Sequence, residues 1–528
     1  MEPRANRLHA LHQAARGRKL RVTLVRPPVF FHKRSLSNEA TPSLALAYIT
    51  AFLRHNGYDP LWVDAMAEGL NQTWELDRYP GFLGHGLTLE QLLARIPADS
   101  EVIGFHAMFS SEWPMVRDLI MAVRARFPQA LFVAGGEHLT ALTEYSLRDC
   151  PALDVGARGE GEQRLLDILE TVSAGGSLAT VDGIGFLDTA GHYQETSGLP
   201  RIRNISQLPW PHWPEGYLEA FWKSGKSYGP QSARDMPMLW TRGCPFRCSF
   251  CSNPNMWTSR YAMREVDDVL AEIKHHVTTR NVTTIQLYDL TAIVKKRWII
   301  ELLEKMLAQD IRVNLAFPAG TRSEVLDDEV LTLLKKAGTT YISYAPESGS
   351  PRVLALVGKR IDLDAIFRSI HAAVRHGLTV RINMVLGFPG ERRGDVLRSL
   401  WFGLRCMYIG VDEIQPYIFM PFPGSEMFRT LLATGKIELG DPYFLTLNTL
   451  NTDVTNLSHR VFNEQMRPGE LTFYRLLLTL ISYFVGYIFH PSRIVRTIRN
   501  IRSEHDAANV FEHRLKDALR RKKITPNH

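Results

Sequence analysis

Short runs of apolar, often β-branched residues alternate with helical patterns in two long series, and this alternation most constrains the fold. The first series begins near residue 20 with LRVTLVRPP, SLALAYITAFLRHNGY and PLWVDA, and it ends near residue 175. Repeated strand and helix units are typical of a parallel sheet covered by helices. We therefore predict an α/β protein with an N-terminal extension over residues 1–19 and a doubly wound, Rossmann-like domain over residues 20–175.

The second series predicts six strands separated by helical patterns. Their sequences are MPMLWTR, TTIQLYD, RVNLAFPAG, TYISYAPE, TVRINMVLGFPG and EIQPYIFMP. Such units predict a partial (β/α)6 barrel of the TIM type over residues 236–430, with chemistry at the C-terminal strand ends. Residues 176–235 are predicted to connect the two domains, and residues 431–528 to form a helical C-terminal domain with a basic tail.

The positive charge of the chain is concentrated at its C-terminal end. The formal net charge is +7, but residues 492–528 alone carry ten Lys and Arg against four Asp and Glu. The rest of the chain is nearly neutral and shows no basic face, so we predict no nucleic-acid partner. The N-terminus lacks a secretory signal, and Cys150 and Cys406 lie far apart in the sequence, which favours a reducing cytoplasm.

One uncharged run, LLLTLISYFVGYIF over residues 476–489, is too short to cross a bilayer as a helix. We predict a buried helix. The alternative is a peripheral membrane anchor, helped by the arginines that follow the run, Arg493, Arg496, Arg499 and Arg502.

Three of the five cysteines lie in the loop TRGCPFRCSFCSNP, residues 241–254, with the spacing C-x3-C-x2-C. A structural zinc site needs four closed ligands, and no Cys or His follows at a suitable short distance. An iron-sulfur cluster held by three thiolates would leave one iron open to a further ligand. The loop therefore favours an open iron-sulfur cluster over zinc.

This loop resembles the signature of radical S-adenosylmethionine (SAM) enzymes, C-x3-C-x-aromatic-C. Cys244, Cys248 and Cys251 stand in the ligand positions and Phe250 in the aromatic position. The resemblance implies a [4Fe-4S] cluster whose open iron is chelated by SAM, which is cleaved to a 5'-deoxyadenosyl radical. It also implies an electron donor such as flavodoxin or ferredoxin.

Further segments resemble the SAM-binding segments of this family. In APESGSPRVLALVGK, Glu347 stands where the family carries a carboxylate that contacts the ribose hydroxyls. GFPGE, with Gly387 and Pro389, resembles the glycine-rich turn that lies against the adenine. The alternatives are an exposed strand-end acid and an ordinary tight turn.

Two more strand-end residues are candidates for the same site. Asp289 lies in YDLTA, where relatives often have two consecutive acids, but here Leu290 follows it. Arg322, after the third predicted strand, resembles a family arginine that could pair with the SAM carboxylate. A solvent-exposed arginine is the alternative.

The first domain resembles the cobalamin-binding domain that is fused to many radical SAM enzymes. The phrases PSLALAYITAFLRHNGY, VAGGEHLTA and DVGARGEGEQRLLDIL carry this resemblance. The residues implied to bind cobalamin lie at strand ends and are Asp64, Ser110, Gly135, Gly136, His138, Gly159 and Glu160. Dinucleotide binding is excluded, because no G-x-G-x-x-G follows the first strand.

The cobalamin pattern D-x-H-x-x-G supplies an axial histidine in many methyltransferases and mutases. The chain has DAMAEG at residues 64–69, with Met66 in place of the histidine. Axial ligation from this position is therefore excluded. His106 and His138 are other imidazoles near strand ends, with hydrogen bonding as their predicted role.

Together these resemblances imply a cobalamin-dependent radical SAM methyltransferase, which methylates an unactivated carbon through a 5'-deoxyadenosyl radical and methylcobalamin. An oxidative cyclase or ring-rearranging enzyme without net methylation is the alternative in the same cofactor class. A non-catalytic cobalamin or iron-sulfur sensor is the alternative from another class. A small molecule, a lipid, a tetrapyrrole or a peptide all stay open as substrates.

Overall fold

A computed structural model of the chain describes residues 4–15, 17–35, 40–230, 232–322, 324–453, 457, 460–502 and 512. The N-terminal elements are α1 (Arg4–Ala15), β1 (Val22–Arg26), β2 (Val29–His32), α2 (Leu44–His55), β3 (Leu61–Asp64), α3 (Ala65–Glu68), β4 (Thr73–Glu75), β5 (Phe82–His85), α4 (Leu89–Arg95), β6 (Val102–His106), α5 (Trp113–Arg126), β7 (Leu131–Gly135), α6 (Glu137–Ala141), α7 (Thr143–Asp149), β8 (Val155–Ala157), α8 (Gly161–Ser173), β9 (Ile184–Leu187) and β10 (Tyr193–Glu195).

Seven of these strands form the first sheet, in the order β10-β9-β8-β7-β6-β1-β3. Neighbouring strands pair in parallel from β3 through β1, β6 and β7 to β8. Strands β9 and β10 add two antiparallel strands at the β8 edge. The central strands are buried on both faces, as expected when helices cover a parallel sheet. The doubly wound α/β fold predicted from the alternating pattern is therefore confirmed.

The first sheet extends past residue 175, into the segment predicted to be a connection. Strands β9 and β10 have only four and three residues. Their apolar pattern is therefore too short to be recognised among the glycines and prolines of this segment. The predicted boundaries near residues 175, 235 and 430 stay predictions. A separate three-stranded sheet, β2-β5-β4, lies outside the seven-stranded sheet.

The remaining elements are α9 (Tyr217–Ser224), β11 (Asp235–Met238), β12 (Thr241–Arg242), α10 (Asn253–Trp257), β13 (Ala262–Met263), α11 (Val266–Arg280), β14 (Thr284–Leu287), α12 (Lys296–Ala308), β15 (Asn314–Thr321), α13 (Asp328–Lys336), β16 (Thr339–Glu347), α14 (Pro351–Leu356), α15 (Leu363–Arg375), β17 (Thr379–Leu386), α16 (Arg393–Tyr408), β18 (Glu413–Ile418), α17 (Glu426–Ala433), α18 (Asp441–Thr449), α19 (Pro468–Phe489) and α20 (Ser492–Arg502).

Six parallel strands form the second sheet, in the order β11-β14-β15-β16-β17-β18. Each coincides with one of the six predicted strands, and helices α11, α12, α13, α15 and α16 lie between them in sequence. The order runs from β11 to β18 without closing, which makes the sheet an open barrel. The predicted partial barrel is confirmed.

The C-terminal region is helical, as predicted, and it contacts both the N-terminal domain and the barrel. Helix α19 packs against α16 and strand β18 of the barrel. Helix α18 packs against α5 of the first unit, where the guanidinium of Arg117 donates two hydrogen bonds, of 2.7 and 2.9 Å, to the carboxylate of Asp441. The C-terminal helices therefore tie the first unit to the barrel.

Candidate cofactor sites

The cysteine loop leaves the barrel after β11 and is closed at its base by a two-stranded antiparallel sheet of β12 and β13. The backbone amide of Ser249 donates to the carbonyl of Val357 over 2.9 Å, and the amide of Met427 donates to the carbonyl of Ser249 over 2.9 Å. The loop is thus held between the C-terminal end of α14 and the start of α17. These contacts fix the middle of the loop, where the three cysteines lie.

The three thiols are partly buried, free and close enough to influence one another. Burial raises the pKa of Cys244, Cys248 and Cys251, that of Cys251 to about 12. The described residues contain no group of three His, Cys, Asp or Glu side chains gathered around a single metal ion. Three thiols can hold a [4Fe-4S] cluster that leaves one iron open, whereas a structural zinc site needs four closed ligands.

Two aromatic side chains of the cysteine loop contact other predicted site residues. The ring of Phe250 lies 5.4 Å from that of Phe388, in the GFPGE turn. The guanidinium of Arg322 lies 3.5 Å above the ring of Phe246 and donates a 2.6 Å hydrogen bond to the carbonyl of Arg360. The side chain of Arg322 is only 10% exposed, so it is not a surface arginine.

Glu347 ends strand β16 at a register shift between β16 and β17. Its φ of +63° is unusual for a residue other than glycine. Its carboxylate accepts a 2.8 Å hydrogen bond from the ammonium of Lys359, and both side chains are buried. The predicted ribose ligand is therefore oriented by a lysine from the same APESGSPRVLALVGK phrase.

The GFPGE turn is organised by its own glutamate. The carboxylate of Glu391 accepts hydrogen bonds from the amides of Gly387 and Phe388, and burial raises its pKa to about 7. Gly387 has a φ of +84°, and a side chain there would collide with Leu471 of α19. The glycine is thus required by the close approach of α19 as well as by the turn. Pro389 follows in the turn and is partly exposed.

Asp289 turns toward the protein backbone. Its carboxylate accepts hydrogen bonds from the amides of Trp240 and Thr241, over 3.2 and 2.6 Å, and from the Thr241 hydroxyl over 2.5 Å. Burial raises its pKa to about 6. Asp289 therefore supports the segment that leads into the cysteine loop, and its predicted role in SAM binding stays a prediction.

A cavity of about 310 Å³ lies between the C-terminal end of the first sheet and the start of the barrel. Among the predicted cobalamin residues, it is lined by Gly135, Gly136, Gly159 and Glu160. A Cβ at Gly136, which has a φ of +129°, would collide with the carbonyl of Ala107. At Gly135 a Cβ would meet only Ala157, at an ordinary 3.6 Å, so the missing side chain at Gly135 leaves room in the cavity. These residues fit a large ligand that the backbone approaches closely.

The other predicted cobalamin residues have structural partners. Asp64 caps α3 through the amides of Met66 and Ala67. The imidazole of His138 is held between the hydroxyls of Ser110, at 2.9 Å, and Ser146, at 3.1 Å.

Burial lowers the pKa of His138 to about 3, so the ring is neutral. Asp64, Ser110 and His138 do not line the cavity, whereas His106 does. The contacts of His138 with the two serine hydroxyls agree with the hydrogen-bonding role predicted for it.

The sequence analysis did not identify three functional candidates, two of them because their partners are distant in the chain. Lys359 pairs with Glu347, as described above. Arg242 of β12 donates to Glu160, over 3.1 Å, and to Glu162, over 2.5 Å. Glu137 lines the cavity and accepts a hydrogen bond from the hydroxyl of Ser252. Glu137, in the GGEH phrase at a strand end, and Lys359, in the same phrase as Glu347, carried a signal that could have been followed.

Comparison with known proteins assigns a family to each half of this arrangement. Residues 37–169 match the family described as the B12 binding domain. Residues 238–400, which contain the cysteine loop and strands β14 to β17, match the radical SAM superfamily. The chain belongs to the B12-binding radical SAM enzymes. The first sheet is accordingly its B12-binding domain, and the second is its radical SAM barrel.

Curated relatives of this B12-binding radical SAM protein cover most of its length. An uncharacterized methyltransferase of Pyrococcus horikoshii is 23% identical over 490 residues, covering 91% of this chain and 98% of the relative. The anaerobic magnesium-protoporphyrin IX monomethyl ester cyclase of Rubrivivax gelatinosus is 26% identical over 405 residues, covering 76% of this chain and 68% of the relative.

Among solved structures, the radical SAM methyltransferase TsrM from Kitasatospora setae, with cobalamin and a [4Fe-4S] cluster bound, has the same overall fold. The TM-score is 0.63 at 14% identity, over 96% of this chain and 100% of TsrM. This similarity supports the arrangement of a B12-binding domain, a radical SAM barrel and a helical C-terminal region.

Proposed function

We propose that this chain is a cobalamin-dependent radical SAM methyltransferase that methylates an unactivated carbon. One observation carries the proposal. Glu137 lines the cavity at the end of the B12-binding sheet and accepts a hydrogen bond from Ser252, the residue after Cys251. The predicted cobalamin and cluster sites are therefore neighbours, as transfer of a methyl group to a substrate radical requires.

The residues of the chain divide into three groups in this proposal. Cys244, Cys248 and Cys251 would hold the [4Fe-4S] cluster, and Glu347, oriented by Lys359, would bind the ribose of SAM. The cavity glycines would admit cobalamin. When bound, the cluster with SAM supplies a 5'-deoxyadenosyl radical, and cobalamin supplies a transferable methyl group.

The cavity also offers apolar surface that could shield the reacting atoms from water. Leu239, Met256 and Leu290 line it on the barrel side, and Met108 and Phe109 on the B12-binding side. Leu290, which replaces the second acid of the family pattern, is 46% exposed at this surface. We propose that the substrate, a small molecule, lipid, tetrapyrrole or peptide, binds here.

The proposal is tested with the anaerobically reconstituted protein, a low-potential reductant or flavodoxin, and SAM labelled as CD3. We expect 5'-deoxyadenosine together with a product that carries one intact CD3 group when a metabolite extract is supplied. Absence of 5'-deoxyadenosine would contradict radical chemistry and would favour a sensor.

An oxidative cyclase is the second candidate, because three relatives are named as such a cyclase. The same experiment separates the two activities, since a cyclase would yield a product that has lost hydrogen and gained no CD3 group. The relative named as a methyltransferase matches over more of the chain, which is why we place methylation first.

We also propose that the enzyme is cytoplasmic and makes peripheral contact with a membrane through its C-terminal region. Among the described residues, α19 is the one helix long and apolar enough to cross a membrane by length and composition. Its mean hydropathy is 1.5 and a third of it is buried against the protein. Burial of one face favours contact with the membrane surface over crossing it.

A further inference from the structure

Helix α20 is amphipathic, with its apolar side chains facing solvent. Its sequence SRIVRTIRNIR places isoleucine and valine on one side and Arg493 and Arg496 on the other. Val495 is 69% exposed, and Ile494 and Ile498 are 43% and 47% exposed. An ordinary surface helix of a soluble protein buries this side, so α20 has the reverse orientation.

The arginine side of α20 is what attaches the helix to the barrel. The guanidinium of Arg493 donates to the carbonyls of Gly410 and Val411, and that of Arg496 donates to Asp412 over 2.8 Å. These contacts hold the helix on the segment between α16 and β18. The outward orientation of its apolar side is therefore set by specific polar contacts.

The apolar side of α20 lies beside exposed apolar side chains of α16 and α19. The rings of Tyr408 and Phe489 lie 5.1 Å apart and join these two helices at the end next to α20. We call the surface formed by five of these exposed side chains and Val495 the C-terminal patch. Its members are Trp401, Tyr408, Leu480, Phe484, Phe489 and Val495.

The other face of α19 belongs to the barrel core. Leu471 and Leu478 are fully buried in the same cluster as the barrel strands. Arg475, also buried, donates a 2.8 Å hydrogen bond to the carbonyl of Leu450. Crossing a membrane would require α19 to leave the barrel, so the patch can meet a bilayer only from one side.

The charges around the patch favour an anionic partner. Helix α20 carries four arginines and no acid, and Arg499 is exposed. Of the acids next to the patch, Asp412 pairs with Arg496 and Glu470 with Arg393, while Glu512 is buried and accepts hydrogen bonds from Thr497 and Asn500 of α20. The sequence beyond Arg502 is also basic, with six Lys and Arg against four Asp and Glu.

We propose that the C-terminal patch docks on the surface of a bilayer that contains anionic phospholipid, with α20 lying among the headgroups. Exposed aromatic and aliphatic side chains beside arginines are the composition that binds such interfaces. The proposal develops the peripheral membrane contact stated above, and it is independent of methyl transfer.

The test is flotation of the full-length, reconstituted protein with vesicles. One set contains only phosphatidylcholine, and the other contains phosphatidylcholine with a third of phosphatidylglycerol. We expect binding to the anionic vesicles that weakens with added salt, and a loss of at least about 10-fold in the double variant Leu480→Glu/Phe484→Glu. The matched control Leu307→Glu changes an exposed leucine on α12 and should float like the wild type.

Failure of the wild type to float with anionic vesicles would overturn the proposal, as would equal loss of binding in Leu307→Glu. A wild-type dimer in solution that the double variant converts to monomer, without any vesicle binding, would assign the patch to a second copy instead. Because 5'-deoxyadenosine formation is measured without vesicles, failure of docking is distinguishable from failure of the proposed chemistry.

Discussion

The ammonium of Lys359 lies 2.8 Å from Oε1 of Glu347, in a buried ion pair at the carboxyl end of strand β16. Glu347 is held there with a positive φ, a conformation that costs on the order of 1 kcal/mol for a residue with a side chain. Strain of this kind persists where surrounding contacts fix it. The lysine is therefore the residue that we expect to position this carboxylate for SAM.

Replacing Lys359 by methionine should weaken SAM binding about 10-fold or more, because the Glu347 carboxylate loses its partner. Lys359→Arg should recover part of the affinity, since it retains the charge. Equilibrium dialysis with labelled SAM measures this, and the iron content should stay at the wild-type level. Lys305→Met, on an exposed helix, is the control, and an unchanged affinity in Lys359→Met would contradict the positioning role.

Replacing any one of Cys244, Cys248 or Cys251 by alanine should abolish the cluster. Reconstituted wild type should carry about four irons per chain and absorb in the visible range, whereas each variant should lose most of both. Cys406→Ala, which removes a thiol that is buried in α16, is the control, and this variant should retain the wild-type iron content. Normal iron content in any of the three loop variants would remove that cysteine from the ligand set.

A side-chain series at Gly135 should separate cobalamin binding from folding. The nearest protein atom to an added Cβ is Ala157 at 3.6 Å, so Gly135→Ala should fold and bind almost as the wild type does. Gly135→Leu should fill part of the cavity and reduce cobalamin binding at least about 10-fold. Absorbance of the cobalamin retained after desalting measures this, and full binding by Gly135→Leu would place the ligand elsewhere.

Glu391 should make stability fall as the pH rises. Its folded-state pKa is raised by burial to about 7, above its ordinary value, so the native state binds the proton more tightly than the unfolded chain. The resulting stabilisation is present below about pH 4.5 and is lost as the pH rises toward 7 and above, up to about 3 kcal/mol.

The measurement is the apparent melting temperature between pH 5 and 8. The decrease toward pH 8 should be smaller in Glu391→Gln than in the wild type, because the amide cannot ionise. Glu464→Gln, at a neighbouring position whose carboxylate is partly exposed and whose pKa is lowered, is the control and should retain the wild-type decrease. Parallel curves for Glu391→Gln and the wild type would show that this carboxyl does not titrate in that range.

The six barrel strands could be predicted because each is coded by its own short run of residues. The run RVNLAFPAG predicts β15, and TYISYAPE predicts β16, from local patterning alone. The cysteine loop is equally local, since its three thiols fall within eight positions. These features need no knowledge of distant contacts.

The partners of the site residues could not be predicted in this way. The pair of Glu137 and Ser252 spans 115 positions, and that of Arg242 and Glu160 spans 82. Asp289 is a further example, because its place at a strand end does not reveal that its oxygens accept hydrogen bonds from the backbone of Trp240 and Thr241. Only the folded structure shows which groups already donate hydrogen bonds to a carboxylate.

The Glu160 carboxylate determines how the N-terminal domain and the barrel can be separated or recombined. It accepts hydrogen bonds from Arg201 over 3.0 Å and from Arg242 over 3.1 Å, and all three side chains are buried. An N-terminal fragment that ends before residue 201 would expose this anion without its cations, and a barrel that begins near residue 236 would keep Arg242 without Glu160. The two modules are thus not interchangeable parts, and recombination between relatives would succeed only where this acid travels with its arginines.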